Sequence, residues 1–600
     1  MPTRVVTWVW GENGCMAQKK RNTVLNVRRK NRRKRIRVLL QAAILLILGT
    51  LLYHVVIDVR TYEEPDKSAW NQKQGFIALS YFGVGRNGTA KLVAKSQLDE
   101  QLKALHDQGY RTISQQDIQD FYAKGTPLPD KALFLAFEDG RNDSNLFAEP
   151  LLEKYNYKAT FLSYADKMGN SERKFVQPKD MLDMAKTGFW ELGTNGYRLS
   201  YINIFDKDGR FIGMKDEKEL TDKANVAYYN HYLMDFIRDE NMIPVENRAQ
   251  MEARIDRDYQ AMKDVYTKSL GYVPSVYMIM HANALGEGMN PLVTAANTAN
   301  IERLFKLHFN REGSSLNTKD NGVLNLTRVQ PEPYWSTNHL LMKIRKDTGE
   351  SMKFILGDKE AAGAWEGLNG AAEFSGNKIV LTSPPGGVGK QVLKEEVRDV
   401  KLAATTAGNV VGEQMIYLRY DRDNESYVRL TLENNTVTVE QKAAGRLPEI
   451  LFKQELAPVS WQEEDLAFDK ASVYTREQTA AGASKEMEIP VNIRDSRRIE
   501  AVLQGDELKL TVDGEVLLDG LGIDDSIGSG RIALAGQFSE QNEKDDIYDA
   551  VFENVEITSL EAKDGRSAMV FSNRLSGWKG LEKQVKLTFD GMVNWMIEHF

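Results

Sequence analysis

The chain has 600 residues, which is too long for a single hydrophobic core and predicts two or more domains of ordinary size. The formal net charge of -7 hides an asymmetry, because Lys19–Arg37 is strongly basic and the remainder is distinctly acidic. Cys15 is the only cysteine, so the long acidic part of the chain can form neither a disulfide nor a thiolate metal site.

An apolar segment without a charged residue, Val38–Ile57, follows the basic run directly. At about 1.5 Å per residue it is long enough to cross a hydrocarbon core of roughly 30 Å. The pattern predicts a basic cytoplasmic tail (1–37) and a transmembrane signal anchor (38–58), which places the remaining domains outside the plasma membrane. It also argues against a nucleic-acid partner for the basic run. A cleaved signal peptide is the alternative, but the apolar segment is too long and no small-x-small site follows it.

Residues 59–75 are polar and predict a short stalk. From Phe76 onward, apolar runs typical of buried strands alternate with amphipathic helical segments. This alternation predicts parallel strands covered by helices over residues 76–350, with the acidic residues at the strand ends facing a shared mouth. The predicted strands are Phe76–Phe82, Ala132–Phe137, Ala159–Tyr164, Phe189–Leu192, Val276–Met280 and Leu324–Val329, and the helices are Leu98–Gly109, Leu146–Tyr155, Pro178–Lys186 and Met251–Leu270.

The segment Ser200–Gln250 interrupts this alternation and predicts an insertion. Its sequence FDKDGRFIG suggests a calcium loop, but only Asp206, Asp208 and Gly209 fit that pattern. We therefore predict a plain hairpin turn.

The second half of the chain changes character near Lys353, where strict alternation of apolar and polar residues begins. This pattern predicts an antiparallel β-sandwich over residues 353–560, with a hairpin at Leu508–Leu518. The sequence there resembles laminin-G and concanavalin-like sandwiches, which leaves two interpretations open, a carbohydrate-binding domain or a structural spacer. Residues 561–600 are predicted to form a C-terminal amphipathic helix.

Two sequences in the first domain, LFLAFEDG (Leu133–Gly140) and FWELGTNGY (Phe189–Tyr197), resemble the first two motifs of the polysaccharide deacetylase (NodB-homology) family. The resemblance identifies a divergent member of the glycoside hydrolase/deacetylase barrel superfamily and implies an α/β fold, a distorted (β/α) barrel. In the family, the TFDDG motif supplies a general base and a metal ligand, and H(S/T)xxH supplies two histidine ligands. Here Glu138 and Asp139 form the acidic pair, whereas Asn195 and Leu199 stand at the histidine positions.

These replacements predict a site without a metal cofactor, since Asp139 is the only plausible ligand that remains. His281 lies at the place of the family's third motif and is the best substitute among the histidines, followed by His308 and His339. For each of the three, a structural role is favoured over ligation.

A mechanism without metal would use carboxylates, because glycosidases place two of them about 5 to 9 Å apart across the scissile bond. The candidate catalytic residues are Glu138, Asp139 and Glu191. The candidate substrate-binding residues are Arg141, Asp143, Asn195, Tyr197, His281 and Arg328.

The sequence therefore predicts a membrane-anchored hydrolase that acts on a cell-surface or secreted polysaccharide, by glycoside cleavage or by a divergent deacetylation. The alternative is a non-catalytic polysaccharide-binding scaffold of an exopolysaccharide synthesis or export system. An intact acidic cluster favours the first interpretation, and the missing histidines favour the second.

Overall fold

The computed structural model divides the chain into two compact units, Met1–Arg60 and Thr61–Phe600. It describes residues 60–575 together with 34–39, 41, 42 and 45, and it leaves out 90, 170–173, 221–224, 280–288, 409–411, 434, 458–495, 540–545 and 562–566. Within these described ranges, no helix is both long enough and apolar enough to span a membrane. Most of the predicted anchor, Val38–Ile57, lies outside the described residues.

The first half of the second unit contains alternating strands and helices. The strands are β1 (Phe76–Tyr81), β2 (Val84–Gly85), β3 (Val93–Ala94), β4 (Arg111–Thr112), β5 (Ala132–Phe137), β6 (Ala159–Tyr164), β7 (Trp190–Gly196), β8 (Ser200–Asp206), β9 (Phe211–Asp216), β10 (Val226–His231), β11 (Val276–Met278), β12 (Leu307–Glu312), β13 (Leu316–Asn317) and β14 (Leu326–Arg328). The helices are α1 (Lys95–Asp107), α2 (Gln115–Lys124), α3 (Asn142–Tyr155), α4 (Pro178–Lys186), α5 (Arg248–Leu270), α6 (Pro291–Leu304) and α7 (Thr337–Thr348).

The main sheet of this half is a nearly closed barrel. Its parallel strands follow the order β1, β5, β6, β7, β11, β12 and β14. Val329 then exchanges backbone hydrogen bonds with Ala78 and Ser80, which brings the end of β14 back to β1. This arrangement confirms the predicted barrel, and it gathers the carboxyl ends of the parallel strands around one mouth.

Two apolar layers hold the barrel together. Alternate residues of each strand point inward, as Phe134 and Ala136 of β5 do, and pack against Met278 and Phe309 in the interior. Ile118 and Phe121 of α2 join this interior core. The outward residues pack under the remaining helices in a larger cluster, so both faces of the parallel sheet are covered.

The predicted insertion forms a separate antiparallel sheet in the order β10, β8, β9. β8 and β9 pair as a hairpin, and Asp206 Oδ1 accepts hydrogen bonds from the backbone N–H groups of Asp208 and Arg210. The Asp206 carboxylate therefore stabilises the turn, and the predicted hairpin is confirmed.

The predicted stalk (59–75) requires a correction, because from Tyr62 onward it packs against the barrel. The backbone N–H of Tyr62 donates to Thr187 O, Asn156 exchanges hydrogen bonds with the backbone of Glu63, and Gln72 pairs with Leu128. These contacts satisfy the polar backbone of the segment locally, so it is part of the domain rather than a free linker.

The second half is the predicted antiparallel sandwich, preceded by the short helix α8 (Lys359–Gly363). One sheet has seven strands in the order β15, β18, β27, β20, β21, β22, β23, and the other follows β16, β17, β28, β19, β24, β25, β26, with β29 beside β28. The bounds are β15 (Trp365–Asn369), β16 (Ala371–Ser375), β17 (Lys378–Thr382), β18 (Gly389–Val397), β19 (Val400–Gly408), β20 (Gly412–Asp421), β21 (Ser426–Glu433), β22 (Thr436–Lys442), β23 (Glu449–Glu455), β24 (Ser496–Gln504), β25 (Glu507–Val512), β26 (Glu515–Gly522), β27 (Gly530–Phe538), β28 (Asp549–Ser559) and β29 (Ala568–Ser572).

Two sequence predictions for this half have different outcomes. The hairpin at Leu508–Leu518 is confirmed, since β25 and β26 turn at Asp513 and Gly514, both with positive φ. The predicted C-terminal helix (561–600) is corrected at its start, because Ala568–Ser572 forms a strand. Residues 576–600 lie outside the described residues.

Candidate functional site

The carboxylate of Glu138 lies at the carboxyl end of β5 and is fully buried. Ser80 Oγ, on the neighbouring β1, donates to Glu138 Oε1 at 2.5 Å. Arg328 Nε, at the end of β14, donates to the same oxygen at 3.2 Å. Because the barrel closes between β1 and β14, residues that are far apart in the chain meet at this one carboxylate.

Arg328 is also buried, with 1% of its surface exposed. Besides Glu138, its Nη2 donates to Ile279 O at 3.0 Å and to Glu312 Oε1 at 3.3 Å. The nearby carboxylates outweigh the effect of burial and keep the pKa of Arg328 above its usual value. The prediction that Arg328 binds substrate is therefore corrected, because its guanidinium forms a buried ion pair with Glu138.

Asn195, at the first histidine position of the family motif, links three strands. Its Nδ2 donates to Met278 O of β11 at 2.9 Å and lies 3.4 Å from Glu138 Oε2. Its Oδ1 accepts the backbone N–H of Asp139 at 3.1 Å. Both ends of the amide are thus engaged, and the geometry gives Asn195 the role of holding the acidic pair in place.

Asp139 has a backbone conformation that is uncommon for a residue other than glycine, with φ of 65°. Its side chain keeps limited access to solvent, at 11% exposure, in contrast to that of Glu138 at 0%. Burial raises the pKa of Asp139 to about 6, although Arg141 acts in the opposite direction. This carboxyl group therefore changes its charge close to neutral pH, as general acids and bases commonly do.

Arg141 follows Asp139 in the same loop and is held by the neighbouring backbone. It forms a β-bridge with Phe175, and its Nη1 lies 3.8 Å from Asp139 Oδ2. Its Nη2 lies 3.3 Å from Asp143, whose side chain is half exposed. Arg141 Nε is buried and has no hydrogen-bond partner in the described part of the site. The loop thus places a carboxyl group and a partly unsatisfied cation side by side at the mouth.

Three residues that the sequence analysis did not single out, Glu217, Lys174 and Lys167, also act on the pKa of Asp139. Lys167 is buried, and its ammonium group lies 3.9 Å from Glu217 of the insertion. Glu217 raises the pKa of Asp139, and Lys167 lowers it. No local pattern predicts these contacts, because they depend on how the insertion folds over the mouth. The contact of Ser80 with Glu138 was also not predicted, because Ser80 lies within the apolar run FIALSYF.

Tyr197 follows β7 and packs partly buried against the barrel core. The Arg198 guanidinium lies 5.6 Å from the centroid of the Tyr197 ring. The backbone carbonyl of Tyr197 accepts a hydrogen bond from the backbone N–H of Asp166. It borders the mouth without contacting the acidic pair in any of the described interactions.

Glu191 does not join the cluster. It stands four residues before Asn195 on β7, which corresponds to about 13 Å along a strand. Its Oε2 accepts the backbone N–H of Gln115 at 2.8 Å, at the start of α2. Burial raises the pKa of Glu191, and the hydrogen bond from Gln115 opposes this effect. Its predicted catalytic role is therefore corrected to that of holding the N-terminus of α2.

The histidines contribute little to the described site. His281 lies outside the described residues. His308 is buried, stacks on Tyr277 and contacts Leu324 O through Nδ1 at 3.0 Å; burial lowers its pKa to about 4. His339 contacts Asp549 at the boundary between barrel and sandwich. His308 and His339 thus have the structural roles that were favoured for them.

The described residues do not fit the divalent metal that the family resemblance implies. Within the described ranges, no group of three His, Cys, Asp or Glu side chains is arranged to hold an ion. Of the positions that correspond to ligands, Asn195 offers only an amide that is already engaged, and Leu199 has no donor atom. Asp139 alone retains a suitable carboxylate.

Comparison with known sequences gives relatives that match only part of the chain. No family model matches the chain. It is 27% identical over 128 residues to the putative polysaccharide deacetylase YxkH of Bacillus subtilis (strain 168), which covers 21% of this chain and 45% of that protein. It is 30% identical over 123 residues to the poly-beta-1,6-N-acetyl-D-glucosamine N-deacetylase of Escherichia coli (strain K12), covering 20% of this chain and 18% of that protein. Both matches span less than half of the relative's length.

A solved de-N-acetylase from Aggregatibacter actinomycetemcomitans is 17% identical, with a TM-score of 0.34, and the likeness covers 44% of this chain and 98% of that one. The sequence relatives are polysaccharide deacetylases, which confirms the resemblance carried by the LFLAFEDG motif.

Proposed function

We propose that the protein is a hydrolase that removes acetyl groups from an N-acetylated polysaccharide, with Asp139 as the group that transfers protons. The observation that carries the proposal is the environment of Asp139, a carboxyl group at the barrel mouth with solvent access and a pKa raised to about 6. The name of the Escherichia coli relative favours an N-acetylated substrate.

The site geometry favours amide hydrolysis over glycoside cleavage. Glycosidases use two carboxyl groups that face the substrate from opposite sides. Glu138 is sealed inside an ion pair, and Glu191 lies near the start of its strand. Of the three candidate carboxyl groups, only Asp139 is placed to meet a sugar.

The chemistry requires one base and one site for negative charge. In the proposed reaction, the Asp139 carboxylate takes a proton from the water that attacks the acetamide carbonyl carbon. The C–N bond then breaks, the proton passes to the leaving amine, and acetate is released. Arg141 is positioned beside Asp139 to stabilise the negative charge that develops on the carbonyl oxygen.

A second candidate function is polysaccharide binding without catalysis. It is favoured by Asn195, because an amide that holds the acidic pair replaces the first histidine of the family motif. In that case the mouth would retain affinity for sugar, and the protein would serve as a scaffold in exopolysaccharide synthesis or export.

Product analysis separates the two functions. Acetate and reducing ends would be measured after incubation with partly acetylated poly-β-1,6-N-acetylglucosamine, chitin oligosaccharides and the host's own exopolysaccharide. We expect the wild type to release acetate and Asp139→Asn to release at least about a hundredfold less, because an amide cannot exchange the proton. Asp180→Asn, on the exposed first turn of α4, is the matched control. Binding without either product would establish the scaffold function instead.

We further propose that the N-terminal segment anchors both domains outside the plasma membrane. The basic flank before Val38 supports this orientation. Protease added to intact spheroplasts should digest the chain beyond Arg60 and spare the tail. Protection of the large domains would show that the orientation is wrong.

A further inference from the structure

A group of cationic and tyrosine side chains lies on part of one face of the seven-stranded sheet of the sandwich, on β18, β20 and β21. Tyr417 belongs to a small cluster that is separate from the main sandwich core, whereas its neighbours Ile416 and Leu418 belong to that core. Tyr417 therefore points away from the opposite sheet. We refer to the group as the cation–tyrosine patch, which consists of Lys390, Tyr417, Tyr420, Tyr427 and Arg429.

A β-bulge brings the third tyrosine onto this face. Tyr420 follows Tyr417 by three positions, so regular alternation would place the two side chains on opposite faces. Arg419 has φ of 50°. At this position the register of β20 shifts relative to both neighbouring strands, β21 and β27. The Arg419 side chain is buried, where it donates to three backbone carbonyls. The bulge thus turns Arg419 inward and sets the Tyr420 ring 5.5 Å from that of Tyr417.

Lys390 is the unusual member of the patch. Its ammonium nitrogen lies 4.1 Å from the centroid of Tyr417 and 4.6 Å from that of Tyr420. Burial lowers its pKa to about 8, Arg429 acts in the same direction, and no carboxylate of the described chain opposes them. A partly buried ammonium group without a counter-charge is costly, and an uncharged side chain would pack against the rings at lower cost.

Arg429 differs from Lys390, because its guanidinium is paired with a carboxylate of the same sheet. Its Nη2 donates to Glu440 at 2.9 Å, and Tyr427 donates to the other oxygen of that carboxylate at 2.8 Å. Ala533 and Ala535 of the adjacent strand β27 lie beneath the patch and are fully buried. The open ends of the patch are therefore Lys390 and the part-exposed ring of Tyr420.

We propose that the cation–tyrosine patch binds an acidic polysaccharide through a sugar ring that carries a carboxylate. The carboxylate pairs with the Lys390 ammonium group, and the apolar face of the ring lies against Tyr420. The charge of Lys390 selects this ligand class over neutral sugars and over amino sugars, which are cationic and would be repelled. The site is independent of the reaction proposed for the barrel.

Binding of polygalacturonate to the full-length chain tests the proposal, with carboxyl-reduced polygalacturonate and chitosan as comparison polymers. Isothermal titration should detect binding of polygalacturonate only, weakening as salt is added. Lys390→Met should weaken binding at least tenfold, and Lys390→Arg should retain most of it. The matched control is Lys401→Met, which removes the same charge from β19 on the other sheet, where Lys401 pairs with Glu500 at 2.8 Å.

Three results would overturn the proposal: no binding of polygalacturonate, equal binding of the reduced polymer, or an equal loss in Lys390→Met and Lys401→Met. Tyr420→Ala should also weaken binding, and full affinity in that variant would contradict the role of its ring. Asp139→Asn should bind polygalacturonate as the wild type does. Weaker binding by this variant would mean that the polymer binds at the barrel instead.

Discussion

Arg328 and Glu138 form an ion pair inside the barrel, with 3.2 Å between Nε and Oε1 and with side chains that are 2% and 0% exposed. The two residues come from β14 and the end of β5, on either side of the strand that closes the barrel. Removing one partner of such a pair leaves the other charge uncompensated in a medium that solvates it poorly. The ion pair therefore links the acidic motif after β5 to β14, the strand that lies next to β1 where the barrel closes.

The first prediction concerns Glu138→Gln. Glu138 was a candidate catalytic residue in the sequence analysis, but its buried ion pair predicts that this change lowers the unfolding free energy by about 3 kcal/mol or more. Urea unfolding at neutral pH would measure it. Glu312→Gln is the matched control, since Glu312 contacts the same arginine but is 48% exposed, and it should cost less than about 1 kcal/mol. Equal losses in the two variants would contradict the importance of burial.

The second prediction is that Asp139→Asn stabilises the protein above pH 6. Burial raises the folded-state pKa from 3.8 to about 6, so the folded protein binds more protons than the unfolded chain between these values. The carboxylate therefore lowers stability increasingly from pH 4 to pH 6, and the full cost remains at higher pH. Two pKa units correspond to a gain of about 3 kcal/mol at most for the amide variant.

Unfolding at pH 8 and at pH 4 would test this sign. The gain should be clear at pH 8 and small at pH 4, where the wild-type carboxyl group is largely protonated. Asp180→Asn, at an exposed position of α4, is the control for the substitution itself and should change stability by less than about 0.5 kcal/mol. Destabilisation of Asp139→Asn at pH 8 would mean that ionised Asp139 is favoured by the fold.

Local patterns were sufficient to predict parallel strands covered by helices, whereas their closure into a barrel was implied by the family resemblance. Continuous apolar runs such as Ala132–Phe137 are long enough for one buried strand, and they match the observed β5. The motif also located Glu138 and Asp139, since the residues directly after such a strand must lie at the mouth. The arginine that closes the site, Arg328, was found through its strand, although its buried role was not.

Contacts between distant segments could not be predicted in the same way. Glu191 and Asn195 share one motif and one face of β7, and only the three-dimensional structure shows which of them reaches Glu138. Likewise, the polar segment after Arg60 has the composition of a linker, but its backbone groups find partners on the barrel. The bulge at Arg419 was not predicted from the sequence, because the residue with positive φ there is not a glycine.

The third prediction concerns the metal. Purified protein should contain no stoichiometric zinc, and a chelator should leave its melting temperature within about a degree, because a ligand that is not bound cannot stabilise the fold. Restoring the family's imidazoles with Asn195→His and Leu199→His should raise zinc affinity, since three ligands with Asp139 make a site. Zinc near one equivalent in the wild type would contradict the prediction.

The fourth prediction concerns Asp549, which joins the sandwich to the barrel. Asp549 is buried in β28 and lies 3.2 Å from His339 of α7, and it accepts hydrogen bonds from Thr382 and Ser336. Burial raises its pKa, but His339 and these hydrogen bonds together outweigh it, so the pKa lies below 3.8. The ionised group therefore contributes stability above pH 3.8, which is lost as pH falls through the folded-state pKa.

Asp549→Asn should accordingly lower the unfolding free energy by about 3 kcal/mol at pH 7, because it removes a buried carboxylate that accepts hydrogen bonds from Ser336 and Thr382 and contacts His339. The difference from the wild type should stay constant down to about pH 5 and shrink below pH 3.8. The matched control is Asp546→Asn, which breaks a part-exposed contact with Lys346 on the same helix and should cost less than about 1 kcal/mol. Urea unfolding across this pH range measures both variants, and a loss for Asp546→Asn as large as that for Asp549→Asn would show that the buried carboxylate has no special part in joining the domains.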